Sequence, residues 1–246
     1  MRIYAIGDIH GQLQMLQQAH ALIAADRQDY SDQTAPVVHL GDYTDRGPDS
    51  AGVVQALIDG IDAGLPWLAI KGNHDRLFTG FLGDAQWQDP YLAGRLAWFD
   101  PRLGGDKTLA SYGVQGAGNR PIADVHREAI STVPSAHREF LERLPLYHQT
   151  PELLFVHAGI RPGIPIEQQD EEDLIWIRDG FLEDDTDHGT LVVHGHTALD
   201  QATHFGNRVD LDSGAGYFRP LTVAVFEERS SWILTDAGRV PLSSPD

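Results

Sequence analysis

The sequence contains no cysteine. A chain without thiols forms no disulfides and offers neither a thiolate metal site nor a cysteine nucleophile. Phosphatases that work through a catalytic cysteine are therefore excluded. The absence of cysteine leaves the compartment open, because many secreted proteins also lack it.

Long apolar runs are missing as well. No stretch approaches the roughly 20 consecutive apolar residues that a membrane-spanning helix needs. The first residues, Met-Arg-Ile-Tyr-Ala-Ile-Gly-Asp, turn polar too early for a signal peptide. We therefore expect a cytoplasmic protein with no membrane partner.

Positive charge is scarce. The chain has 18 Lys and Arg against 36 Asp and Glu, which gives a formal net charge of −18. A field of this sign repels nucleic acid, so no nucleic-acid partner is expected. A site for phosphate must then carry strong local positive charge, which metal ions and a few arginines can supply.

No low-complexity linker or internal repeat divides the 246 residues. We therefore expect a single domain over residues 1–246, with a loop-rich insertion at about 76–146 that contains a helix at 135–143. Before this insertion, strand and helix patterns alternate, which indicates an α/β architecture. The predicted strands lie at 2–6, 36–40 and 66–70, and the predicted helices at 11–25 and 50–63.

Five further apolar runs after the insertion predict strands. We expect the last three of them to form the hairpin strands of a second sheet. The predicted fold is an α/β sandwich of two mixed β-sheets flanked by helices. The five runs lie at 153–157, 191–194, 208–211, 221–226 and 231–234.

Polar side chains follow the first three predicted strands at the point where each strand ends. They lie in the glycine-flanked motifs Gly-Asp-Ile-His-Gly, Gly-Asp-Tyr-Thr-Asp-Arg-Gly and Gly-Asn-His-Asp. Because ligands bind at the carboxyl ends of strands in open α/β folds, we expect these loops to converge on one site. The residues concerned are Asp8, His10, Asp42, Asp45, Arg46, Asn73, His74 and Asp75.

Histidines end two later strands in the same way. His157 lies in His-Ala-Gly, and His194 and His196 lie in His-Gly-His-Thr. The spacing puts His194 and His196 on one side of an extended segment and does not choose between them. Aspartate, histidine and asparagine ligands without sulfur suit Mn²⁺, Fe or Zn²⁺. Two such ions about 3.5–4 Å apart can clamp a displacement at phosphorus.

These five motifs, in this order, resemble those of the phosphoprotein phosphatase family of calcineurin-like metallophosphoesterases, and most closely its bacterial serine/threonine phosphatase branch. The similarity covers about residues 1–226. The Asp-Arg pair of the second motif is its most specific element. The third motif usually ends in Glu in this family, whereas here it ends in Asp75, which keeps the charge.

The resemblance implies a ligand set for two divalent metal ions, most often Mn²⁺, with Fe or Zn²⁺ as alternatives. Asp8 and His10 would hold the first ion, and Asp42 would bridge the two. The family ligand in the last motif is the histidine after Gly, which leaves His194 as a hydrogen-bond partner behind the site. The second ion would be held by Asn73, His157 and His196.

The resemblance also implies catalytic and substrate-binding roles. His74 would be the general acid for the leaving alcohol, and Asp45 would orient it. Arg46 would bind the phosphoryl oxygens, to which Asn73 also contributes. Arg178 resembles a second phosphate-binding arginine, although a surface ion pair with its neighbour Asp179 is the alternative.

The expected activity is that of a metal-dependent phosphomonoesterase, in the first place a protein serine/threonine phosphatase. Its substrate would be a phosphorylated protein or a small phosphoester, attacked in line by a water that two metal ions activate. The alternatives are a dinucleoside polyphosphate hydrolase and a small-molecule or phosphotyrosine phosphatase. In the bacterial nucleotide hydrolases, which share most of these motifs, the second motif typically has Ala where this chain has Asp45, and this difference favours the phosphatase.

Overall fold

A computed structural model describes residues 1–244 and places eleven strands and seven α-helices in them. The strands are β1 (Arg2–Ile6), β2 (Val37–His39), β3 (Trp67–Ala69), β4 (Tyr147–Gln149), β5 (Leu153–Val156), β6 (Leu191–His194), β7 (Thr203–His204), β8 (Arg208–Asp210), β9 (Val223–Glu227), β10 (Ser230–Thr235) and β11 (Gly238–Pro241). The helices are α1 (Leu13–Asp29), α2 (Ser50–Asp62), α3 (Asn73–Gly83), α4 (Gly105–Ser111), α5 (Ile122–Thr132), α6 (Ser135–Glu142) and α7 (Glu171–Trp176).

The strands form two mixed sheets. The first has the order β11-β10-β9-β1-β2-β3, in which β1, β2 and β3 are parallel and β9 runs antiparallel to β1. The second has the order β4-β5-β6-β8-β7, in which β5, β6 and β8 are parallel and the two edge strands are antiparallel. The predicted α/β fold of two mixed sheets is confirmed.

Successive side chains along each strand point to opposite faces of the sheet, and this alternation divides the core into layers. In β1, Ile3 and Ala5 point to the space between the sheets, while Tyr4 and Ile6 join the cluster beneath α1 and α2. Between the sheets, the rings of Phe155 and Phe226 meet edge to face with centroids 6.0 Å apart. Because both faces of the first sheet are covered, its central strands are apolar on both sides.

The allocation of the last strands differs from the sequence prediction. Of the three runs expected in the second sheet, only β8 lies there. The hairpin β9–β10 belongs to the first sheet, where Phe226 in β9 pairs with Ile3 in β1. Alternating apolar residues identify a strand, but they carry no information about which distant strand becomes its neighbour.

The segment at 76–146, expected to be loop-rich, is mostly helical. Its longest stretch without regular structure runs from 84 to 104, and the rest contains the end of α3 together with α4, α5 and α6, joined by short connections. Pro121 and Pro134 immediately precede α5 and α6, where proline suits the start of a helix. The helix predicted at 135–143 corresponds to α6, whereas α4 and α5 were not predicted, because they are short and their apolar periodicity is hard to recognise in the sequence.

Within residues 1–244, no helix combines the length and the apolar character that crossing a membrane requires.

A buried ion pair fastens the last strand to the first helix. Arg239 in β11 donates from Nε and Nη2 to the two carboxylate oxygens of Asp26 in α1, both at 2.7 Å. Its guanidinium also lies 3.6 Å from the centroid of the Tyr30 ring. The side chains of Arg239 and Asp26 are only 8% and 6% exposed. This pair joins two ends of the chain that are far apart in sequence.

We expect Arg239→Ala to lower the free energy of unfolding by about 3–5 kcal/mol, because it leaves the Asp26 carboxylate buried without its cation. Urea denaturation measures the change. Arg229→Ala is the matched control: the Arg229 side chain is 47% exposed, so its loss should cost within about 0.5 kcal/mol. Equal effects of the two substitutions would show that the buried pair adds no stability.

Candidate metal centre

Loops from both sheets meet at one end of the sandwich. The parallel strands β1, β2 and β3 of the first sheet, and β5 and β6 of the second, are each followed by one of the five motifs. Across the sheets, Nδ1 of His157 lies 2.8 Å from the carbonyl oxygen of Leu40. The predicted convergence at the carboxyl ends of the strands is therefore present in the structure.

Two glycines permit this close approach. A Cβ atom on Gly72 would lie 2.2 Å from Oδ1 of Asp42. A Cβ atom on Gly195 would lie 2.0 Å from Oδ1 of Asp8. Both distances are far below van der Waals contact, so any other residue at these positions would push the loops apart.

The carboxylate of Asp42 lies between two groups of buried histidines. One group consists of His10, Asp42 and His74, and the other of Asp42, His157 and His196; within each, the possible ligand atoms lie within 4.8 Å of one another. Oδ2 of Asp42 is 3.4 Å from Nε2 of His10, and Oδ1 is 3.4 Å from Nε2 of His157. One carboxylate is thus placed to serve two cations.

The hydrogen bonds of the histidines direct lone pairs into this space. Nδ1 of His10 lies 2.8 Å from the carbonyl oxygen of Thr44, and Nδ1 of His157 contacts Leu40 in the same way. A carbonyl only accepts, so Nδ1 carries the proton and Nε2 of a neutral ring presents a lone pair. Nε2 of His157 also lies 2.8 Å from Oδ1 of Asn73, another acceptor. Acceptors that converge in this way fit metal ions.

His196 and Asp8 complete the predicted ligand set with different geometries. Nδ1 of His196 lies 2.9 Å from Oδ1 of Asn73, and its buried Nε2 has no hydrogen-bond partner in the described part of the chain. Asp8 lies outside both groups, and its carboxylate accepts the backbone N–H of His196 at 3.1 and 3.2 Å. The structure therefore brings all six predicted ligands to one place, with Asp8 beside the last motif.

His194 lies behind this cluster and belongs to neither group. Its Nδ1 donates to the carbonyl oxygen of Gly195 at 3.0 Å, and its Nε2 is 3.2 Å from Nη1 of Arg208. Burial, followed by the charge of Arg208, lowers the pKa of His194 to about 3. The ring is therefore neutral at pH 7, and it packs behind the site while His196 faces it.

His74 and Asp45 form a buried pair, with Nδ1 of His74 2.7 Å from Oδ2 of Asp45. Burial lowers the pKa of His74 to about 3, and burial raises the pKa of Asp45 to about 7 against the hydrogen bond from Thr108. The imidazole is therefore neutral at pH 7. A phosphate group bound beside it would raise its pKa towards the range in which it can donate a proton.

Two residues that the sequence analysis did not connect with the site hold Asp45 in place. Trp98 donates from Nε1 to Oδ2 of Asp45 at 2.9 Å, and Thr108 donates to Oδ1 at 2.6 Å. They lie 53 and 63 residues beyond Asp45 in the chain. No local pattern relates such distant residues, so only the structure reveals these contacts.

The structure places both predicted arginines at the site. Nη1 and Nη2 of Arg46 lie 2.5 Å from Nε2 of His10 and 3.0 Å from Nε2 of His74. Arg178 donates from Nη2 to the carbonyl oxygen of His196 at 3.1 Å. In residues 1–244 neither guanidinium forms an ion pair, so Arg178 does not pair with Asp179. Cations without a carboxylate partner are suited to bind an anion.

Asp75, which the sequence places among the converging polar residues without a role of its own, links two loops. Its buried carboxylate accepts the backbone N–H groups of Asp42 and Tyr43 at 2.9 Å and of Gly72 at 3.0 Å. It occupies the third position of α3, where a carboxylate commonly satisfies free N–H groups. That position was the one available signal of its role.

A model of the calcineurin-like phosphoesterase family matches residues 1–228. The chain belongs to this family. Members of the family carry a dinuclear metal site, and the two groups of ligands around Asp42 agree with that. The family match does not select the phosphoprotein phosphatase branch that the motifs had suggested.

Curated relatives of this phosphoesterase are named bis(5′-nucleosyl)-tetraphosphatase PrpE, asymmetrical. The protein from Oceanobacillus iheyensis is 24% identical over 250 residues, which cover 93% of this chain and 90% of the relative. The protein of the same name from Bacillus cereus strain 03BB102 is 26% identical over 254 residues, which cover 93% and 92%.

Solved structures share the fold at low sequence identity. One, provisionally named a diadenosine tetraphosphatase, has a TM-score of 0.63 and 20% identity, covering 96% of this chain and 94% of that one. The cold-active protein-tyrosine phosphatase of a psychrophilic Shewanella has a TM-score of 0.63 and 15% identity, covering 98% and 80%. At such identities the likeness concerns the fold alone.

We expect Asp42→Asn to lower the metal content from two ions to fewer than one per chain. The amide keeps the shape of the side chain but removes the shared charge. Elemental analysis of Mn²⁺-loaded, desalted protein measures it. Asp45→Asn is the control: the Asp45 carboxylate lies in neither ligand group, so that variant should keep both ions. Two tightly bound ions in Asp42→Asn would contradict the shared role.

Proposed function

We propose that this phosphoesterase hydrolyses bis(5′-nucleosyl) tetraphosphates asymmetrically, into a nucleoside triphosphate and a nucleoside monophosphate. The observation that carries this proposal is the agreement of relatives that bear that name and match nine-tenths of both chains. This function was the alternative to a serine/threonine phosphatase in the sequence analysis. It now takes the first place, since relatives outweigh a single motif position.

The six predicted ligands would hold two divalent ions, for which we propose Mn²⁺. The ions would supply concentrated positive charge and a bound water of lowered pKa. Asp42 would contact both of them, because its two oxygens face different histidines. The proposed ligands are Asp8, His10, Asp42, Asn73, His157 and His196.

Arg46 and Arg178 would orient the phosphoryl group. Each offers a guanidinium whose planar donors fit phosphate oxygens, and neither is neutralised by a carboxylate in the described residues. In a protein with a net charge of −18 this local excess of positive charge is what makes an anion site tenable. The amide of Asn73 lies beside both histidines of the second group and would add a further polar contact.

A second candidate function is the hydrolysis of phosphate monoesters, including phosphoserine and phosphothreonine in proteins. The buried pair of His74 and Asp45, at 2.7 Å, favours it. An alkoxide is a poor leaving group that needs a proton from a general acid, whereas a nucleotide leaves as a stable anion. The pair would therefore contribute more to monoester hydrolysis than to cleavage of a polyphosphate.

A substrate panel decides between the two candidates. With excess Mn²⁺ we expect a higher kcat/KM for diadenosine tetraphosphate than for phosphoserine, phosphothreonine or phosphotyrosine peptides. Separation of the products should show ATP and AMP in equal amounts. A higher kcat/KM for one of the phosphopeptides, or ADP as the only product, would overturn the first proposal.

We expect His74→Asn to slow phenyl phosphate hydrolysis about 10²–10⁴-fold, the usual contribution of a general acid. It should slow p-nitrophenyl phosphate far less, because p-nitrophenolate leaves without a proton. Steady-state rates on the two substrates, with metal content measured in parallel, test this expectation.

Arg46→Ala is the matched variant for this experiment. The guanidinium of Arg46 contacts the ring of His74 but would bind the phosphoryl group, which both substrates share. Its loss should therefore slow the two reactions by similar factors. If His74→Asn also slows both substrates equally, His74 binds phosphate and does not donate a proton.

A further inference from the structure

A groove of about 440 Å³ opens directly beside Arg46. One wall is the segment from Pro101 to Lys107, which ends in the first turn of α4, and the other is the turn between β8 and β9, at Gly216, Tyr217 and Phe218. Sites for small ligands have volumes of about 300–1,000 Å³, so a nucleoside fits this space. Neither the motifs nor the proposed function assigns a role to the groove.

The groove is continuous with the metal centre. A Cβ atom on Gly216 would lie 2.5 Å from Cδ2 of His10 and 2.9 Å from Cδ of Arg46. A Cβ atom on Gly104, in the opposite wall, would lie 2.6 Å from the backbone nitrogen of Arg46. Both walls therefore touch residues of the site, and a ligand whose phosphate lies at Arg46 can extend directly into the groove.

Two aromatic side chains are exposed at the mouth of the groove. Tyr217 is 56% exposed, and its ring lies 5.0 Å from Cζ of Arg46. Phe218 is 69% exposed and has a backbone φ of 62°, a left-handed conformation that is rare for a bulky residue. An exposed ring held in a strained conformation beside a phosphate site has the character of a platform on which a base can stack.

The charge of the groove differs from that of the molecule as a whole. Arg46, Arg102 and Lys107 line it, against the single carboxylate of Asp106, while the chain carries a net charge of −18. Lys107 is one of only two lysines in the sequence. Arg102 is paired with Asp100 at 2.8 Å, and Lys107 lies 4.0 Å from Asp106. Arg46 is therefore the one of these three cations without a carboxylate partner in the described residues, and Lys107, whose pair is longer than that of Arg102, is the next best placed to attract phosphates.

We infer that this groove binds one nucleoside of the substrate, with its base stacked on Phe218 and Tyr217 and its phosphates directed along Arg46 and Lys107. The inference rests on the proposed function, because a dinucleoside polyphosphate has a nucleoside at each end of the phosphate chain. It adds a source of selectivity outside the metal centre, which contacts only the phosphates.

The first test is Phe218→Ala. Loss of a stacked base lowers affinity about tenfold or more, so kcat/KM for diadenosine tetraphosphate should fall by about that factor. The ratio of this kcat/KM to that for p-nitrophenyl phosphate, which has no nucleoside, should fall about as much. Tyr30→Ala is the control. Tyr30 is an aromatic side chain of similar exposure, 50%, but it stacks on Arg2 and Arg239 and does not line the groove. It should leave the ratio unchanged.

The second test separates the groove from the proposed function. ADP and pyrophosphate are compared as inhibitors of p-nitrophenyl phosphate hydrolysis, with Mn²⁺ in excess. Wild-type protein should bind ADP about tenfold more tightly than pyrophosphate, and Phe218→Ala should lose this difference. If the difference is present but diadenosine tetraphosphate is not cleaved, the groove is supported and the proposed function fails. If wild-type protein binds both inhibitors equally, the groove does not bind nucleosides and the inference is overturned.

Discussion

The structure of the site depends on the buried carboxylate of Asp42. Its backbone N–H is held by Asp75, its Oδ1 accepts the N–H of His74 at 2.9 Å, and its two oxygens face His157 and His10. Loops from both sheets are therefore arranged around one negative charge. A buried carboxylate surrounded by lone pairs is costly unless a cation is near. This cost links the packing of the sandwich to its capacity for metal ions.

Backbone strain and electrostatic repulsion at the site both show that the local structure is adapted to this arrangement. Within residues 1–244, five of the eight non-glycine residues with positive φ are His10, Asp42, Asp45, Arg46 and His196. Each such conformation costs on the order of 1–3 kcal/mol. Burial, followed by repulsion from Asp212 and Asp42, also raises the pKa of Asp8 well above its usual range. Cations between these groups would relieve the repulsion, whereas the backbone strain is offset by the surrounding core and by the hydrogen bonds of Asp75.

Whether a feature could be predicted from the sequence depends on how far apart in the chain its residues lie. The motifs at the strand ends, the helices α1, α2 and α6 and the two-sheet fold were predicted, because alternation, glycine punctuation and motif order are local signals. The placement of β9 beside β1 and the contacts of Trp98 and Thr108 with Asp45 were not, since they join residues far apart in the chain. The groove at Tyr217 and Phe218 could not be predicted either, because its walls come from segments more than 100 residues apart.

The contacts of Asp45 in the structure weaken the inference that this residue identifies the substrate class. In the sequence this residue favoured a monoester phosphatase over a nucleotide hydrolase, because the nucleotide hydrolases typically have Ala at this position. In the structure the same carboxylate accepts hydrogen bonds from Trp98 and Thr108 as well. The bond from Trp98 connects the second motif to the irregular segment before α4, and the bond from Thr108 connects it to α4 itself. The irregular segment also contains Pro101, which lies in one wall of the groove. Asp45 therefore has a packing role in this chain besides its contact with His74. On the roles proposed above, discrimination among phosphoesters would then depend on the groups that would touch the leaving group, which are the ring of His74 and the aromatic groove beside Arg46.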